Sequence, residues 1–144
     1  MYLLAPNPYL VTSSLLFIIP TTLCAYNNQW LMYSGSLGVT IASSLYHATK
    51  YEPLFYADVV ASYYLVAVNE YYGYKHGLMY VTIPGVLYSI LLFWIGYKTQ
   101  SFVWSPDLNE ATLWHVSMHL MVMSSATIGS YMLGDIQPVY RPFK

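Results

Sequence analysis

Long apolar runs, parted only by short polar joints, leave this chain few ways to fold. Five are visible: from about Tyr9 to Tyr26, Gln29 to Thr49, Leu54 to Tyr74, Gly77 to Tyr97, and Glu110 to Leu133. A helix of ~20 apolar residues crosses the hydrocarbon core of a bilayer. Charge is scarce to match: 8% of residues are Asp, Glu, Lys or Arg, against about 25% in an ordinary soluble domain. The mean hydropathy is +0.44. The 17 Tyr and four Trp suit membrane interfaces, where one end of the ring is apolar and the other wet. The expectation is all-α: an integral membrane bundle of about five transmembrane helices, one domain over residues 1–144. The opening MYLLAPNPYL lacks the basic region of a cleavable signal, so the first run is expected to stay as a span.

Into these runs are set Ser43, His47, Asp58, His115 and His119. Ionisable groups in such places are costly, and they pair, face an interior, or do chemistry. The joints are short (Asn27-Asn28, Lys50 to Pro53, Gly73 to His76), which makes neighbouring helices antiparallel. The longest, Lys98 to Asn109, holds Pro106-Asp107 with Glu110 following, the pattern of a helix start. The second run reaches His47 near its far end. The third meets Asp58 as it turns back, and the fifth meets His115 and His119 early. All four groups therefore fall at one depth, toward the N-terminal side.

Local spacing agrees. His115 and His119 are one helical turn apart and share a face, so both can bind one ion from a single helix. Ser43 and His47 share a face in the same way. Three neutral imidazoles with one open position describe a catalytic zinc site, and no cysteine cluster competes. The single Cys24 excludes an internal disulfide and reads as a small buried hydrophobe. Ser44, Ser62 and Ser117 read as serines bonded to their own helix backbone. His76 reads as interfacial. Glu70 lies about 120° around its helix from Asp58 and should not join the site. Gly35 and Gly38 offer close helix contact, and Gly134 reads as the end of the fifth helix.

The stretch from Ser43 through His47 to Asp58, Ser-x3-His-x10-Asp, together with His115-x3-His119, resembles the alkaline ceramidases. These belong to the CREST superfamily of integral-membrane zinc hydrolases. The resemblance covers mainly runs two, three and five. It implies a reduced CREST-like bundle, since that family has seven spans. It implies that His47, His115 and His119 hold one zinc ion per chain, that Asp58 is the general base, and that Ser43 supports the site or the oxyanion. No Asp or Glu precedes Glu52, so the family's calcium site is not expected.

The function expected is zinc-dependent hydrolysis of an amide or ester bond in a membrane lipid. The alternative is a non-catalytic structural or assembly subunit retaining a relic zinc site, in a membrane complex or homo-oligomer. Haem binding through His pairs ranks last, because Asp58 beside the ligands serves hydrolysis better than electron transfer. The net charge of −1 gives no footing for nucleic acid. Lys50 and Lys98 on one side stand against Lys75, Arg141 and Lys144 on the other, too even a split for the positive-inside rule to orient the bundle.

Overall fold

The structure, a computed structural model, describes residues 6–136. It is all-α, with five helical rods. Helix α1 spans Pro8–Tyr26 in two segments, Pro8–Leu15 and Ile18–Tyr26. Helix α2 is Trp30–Thr49 and α3 is Glu52–His76. Helix α4 spans Met79–Thr99, with a π-helical turn at Leu91–Ile95. A 3₁₀ turn at Phe102–Trp104 precedes α5, Leu108–Ile136. Two of these, α1 and α4, are long and apolar enough to cross a membrane. Helices α2, α3 and α5 are as long, but Ser, Tyr and His residues dilute their apolarity.

Each rod has a local reason to begin or end. Asn7 caps α1, its side chain accepting from the amides of Tyr9 and Leu10 at 3.0 and 3.3 Å. The break in α1 falls at Leu16-Phe17. Leu16 lies four residues before Pro20, the carbonyl that a proline ring crowds and leaves without its donor. The amide of Ile19 takes that carbonyl instead, at 3.0 Å. Lys50 ends α2 in the left-handed region at φ 55°. Gly77 ends α3 at φ 70°, a conformation that costs glycine little. Asp107 caps α5, accepting from Asn109 at 2.8 Å and Glu110 at 3.3 Å, as the sequence predicts.

The rods close into a ring: α2 packs between α1 and α3, and α5 between α1 and α4. The sparsest seam joins α3 to α4. It is tight only near the Gly77 turn, where a Cβ on Gly73 would fall 2.6 Å from Thr82 Oγ1. Gly35 lets α2 meet α3 closely, its Cβ position lying 3.2 Å from the Leu65 Cα. One apolar cluster, Cys24, Met32, Val68, Leu78 and Leu133, fills the Gly77 end. A second, Phe17, Val39 and Leu65, fills mid-depth.

Several local expectations change. Gly134 does not end α5, which continues to Ile136. Its missing side chain makes room for Asn27, whose Nδ2 would lie 2.5 Å from a Cβ there and donates to the Ser130 carbonyl at 3.0 Å. Residues 73–76 belong to α3, and Gly77-Leu78 make the turn. Arg141 and Lys144, counted in the charge comparison, lie outside the described residues.

Candidate metal centre

Antiparallel packing brings the polar residues of α2, α3 and α5 to one level. His47 from α2 and His115 and His119 from α5 form a compact triad. Their ring centroids are 4.9 Å (His47–His115), 5.5 Å (His47–His119) and 4.8 Å (His115–His119) apart. One nitrogen from each lies within 4.8 Å of the other two, so the group could hold a metal ion. His47 is 1% and His119 8% exposed.

The hydrogen bonds around the rings indicate which nitrogens are available. Ser13 Oγ donates to the Leu10 carbonyl at 3.0 Å. Toward His119 Nδ1, 2.9 Å away, it is therefore an acceptor. That assigns the proton of His119 to Nδ1 and leaves the lone pair of Nε2 available to a metal ion. A second residue fixing the tautomer of a ligand histidine is the usual support of a metal centre. Nε2 of His47 is buried with no hydrogen-bond partner among the described residues. An orphaned buried nitrogen calls for an explanation, and a bound cation supplies one. Three neutral imidazoles suit zinc.

Asp58 lines the cavity beside the triad, and Ser43 is buried next to its carboxylate. Oδ1 of Asp58 is also buried and without a hydrogen-bond partner among the described residues, so it can accept from a water or a substrate. Ser14 Oγ holds Ser43 Oγ from the other side at 3.0 Å. Sequence reasoning did not find Ser13, Ser14 or Lys50. Ser13 and Ser14 lie in the polar triplet Thr12-Ser13-Ser14 that interrupts the first apolar run, the one signal available for them. Lys50 sits three residues past His47, with Nζ 3.1 Å from His47 Nδ1 and 4.7 Å from the Tyr46 ring centroid. Burial draws the Lys50 ammonium down to about 8, against the opposing pull of Asp58. An ammonium only donates, so metal loading at His47 Nε2 displaces either the ring proton or this contact.

A cavity of about 550 Å³ opens off the triad. Phe17, Val39 and Leu65 floor it, and Val86, Phe93 and Val122 continue its wall. Tyr63 of α3 and Trp94 of α4 line it as well, yet are 61% and 55% exposed. The mouth therefore lies sideways, in the α3/α4 seam. At the site end the wall is braced by Trp104, whose Nε1 donates to the Phe93 carbonyl at 3.0 Å. Phe93 sits inside the π-helical turn, and its carbonyl also accepts from the Gly96 amide.

The residues read as bystanders divide. Ser117 Oγ donates to the Trp114 carbonyl at 2.7 Å and meets Tyr88 at 2.8 Å. Ser44 does not bond its backbone: its hydroxyl is buried and unpartnered among the described residues. Ser62 lines the cavity. Glu70 stays apart from the triad and accepts from Thr82 at 3.1 Å. His76 stacks on Tyr72 at 6.1 Å.

No family model matches the chain, and no curated protein or solved structure matches it either.

Proposed function

We propose that the chain is an integral-membrane, zinc-dependent lipid hydrolase of the CREST kind, acting on an amide or ester bond as the alkaline ceramidases do. The observation that carries this reading is the His47/His115/His119 group with Asp58, whose buried Oδ1 has no hydrogen-bond partner among the described residues, lining one sideways-opening apolar cavity.

The membrane setting draws support from the surface. Exposed aromatics gather toward both ends of the rods: Tyr9, Tyr51 and Tyr97 at the site end, and Tyr26, Trp30 and Tyr74 at the other. Between them lie exposed Ile18, Ile41, Leu87 and Ile128, with Tyr63 and Tyr64 at mid-depth on α3. Aromatic-rich ends around a mainly apolar waist fit a bilayer.

Bound at the triad, zinc supplies Lewis acidity, which acidifies a water and polarises a carbonyl. The chain does the rest. Asp58 Oδ1 accepts the proton of the attacking water and later returns it to the leaving group. Ser43 and Ser14 hold that carboxylate in line. Ser13 holds His119 in its ligating tautomer. The cavity holds the acyl chain and keeps bulk water from the reacting carbonyl.

Metal content of the protein purified in mild detergent tests the first half. About one zinc per chain is expected, lost in the His115→Ala/His119→Ala double variant. Asp58→Asn tests the second half. It should keep its zinc and lose about 10²–10⁴-fold in lipid hydrolysis, the span a general base contributes. Zinc without turnover in the native protein would favour the alternative, a structural or assembly subunit with a relic site.

A further inference from the structure

We infer that Lys50 is an anion anchor, and that the pocket takes a single-chain lipid whose head carries a negative charge, phosphate or carboxylate. The inference rests on the proposed metal site and names its substrate class. Among the residues lining the cavity, Lys50 and Asp58 are the two with a full side-chain charge; the rest are apolar, hydroxyl-bearing or imidazole. With neutral imidazoles, a divalent ion, one lysine and one aspartate leave the pocket two positive charges in excess. Such an excess is costly in a low-dielectric setting and is relieved by an anion.

Lys50 is held for that task rather than swinging free. Its backbone is fixed in the left-handed region at the end of α2. Its Nζ lies over the Tyr46 ring and 3.1 Å from His47 Nδ1. This places the ammonium beside the triad, among the polar residues of the cavity lining. An ammonium is a compact phosphate binder, and a metal at His47 Nε2, which puts the ring proton on Nδ1, releases all three of its donors. The head of a lipid whose chain fills the cavity then meets Lys50, and its scissile carbonyl falls toward the triad.

The test uses full-length protein in a neutral maltoside detergent, titrated with three probes while thermal stability is followed. The probes are 1-oleoyl lysophosphatidate, the uncharged 1-monooleoylglycerol with the same chain, and inorganic phosphate. Native protein and Lys50→Arg should bind lysophosphatidate about tenfold more tightly than monooleoylglycerol, the effect of one charge-assisted hydrogen bond. Lys50→Gln should lose that preference while keeping its zinc, read by mass spectrometry. Equal affinity for the two lipids in the native protein, or a preference that survives in Lys50→Gln, overturns the inference. Inorganic phosphate stabilising as strongly as lysophosphatidate overturns the lipid part of it. Absence of zinc overturns the metal reading and the charge excess drawn from it, and the Lys50-dependent preference, read separately in the same titration, then decides for or against the anchor.

Discussion

At the scale of single residues, the site is built in two layers that differ in cost. The imidazoles face one another, and hydroxyls from α1 stand behind them. Ser13 is the clearest member of the second layer: its hydroxyl is committed to the Leu10 carbonyl and accepts from His119 Nδ1. Ser13→Ala removes that acceptor but no ligand. Zinc affinity should fall about 10–100-fold, measured by competition with a chelator, while the helix content stays unchanged. Ser13→Thr keeps the hydroxyl and should restore affinity. An alanine variant with native affinity would mean that His119 is oriented by packing against Phe17, whose ring lies 6.1 Å away edge-on.

At the scale of elements, α5 carries two of the three ligands within three turns of its start, so its N-terminus governs the site. The Asp107 side chain accepts from the second and third amides of the helix, Asn109 and Glu110, and Ser105 donates to Glu110 at 2.7 Å to complete the turn. Asp107→Ala should cost about 1 kcal/mol, seen as a lowered thermal midpoint in detergent, and Asp107→Asn should recover most of it. This cap was legible in the sequence because capping is local chemistry. The common depth of His47, Asp58, His115 and His119 was legible for a related reason: short joints force antiparallel rods, and antiparallel rods fix depth. Ser13 and Ser14 were not legible. Both bond their own backbone, the ordinary behaviour of a serine in an apolar helix, and only packing of α1 against α2 and α5 gives them a second partner. Gly134 misled for the converse reason. Glycine after an apolar run is a common helix stop, but here the residue is selected by the approach of Asn27, more than a hundred positions away in sequence.

At the scale of the whole molecule, the ring of five rods is unevenly closed, and the unevenness has a consequence for substrates. Gly73 and Thr82 clamp α3 to α4 at one end. Toward the triad the same helices part, and the cavity opens between Tyr63 and Trp94. Nothing in the local sequence announces this gap, because it arises from where two helices touch rather than from what either contains. If the gap admits an acyl chain, narrowing it should discriminate by chain length. Val86 projects into the wall of the cavity from α4 and is half-buried, far from the ligands in sequence. Val86→Trp should leave zinc content and short-chain turnover near native. Hydrolysis of long-chain lipid should fall by about tenfold or more, since each methylene excluded from an apolar pocket forfeits about 1–3 kcal/mol. A uniform loss across chain lengths would instead place the tryptophan's effect on the site itself. No loss at any length would mean that the chain lies outside the cavity, along the lipid-facing surface of α4.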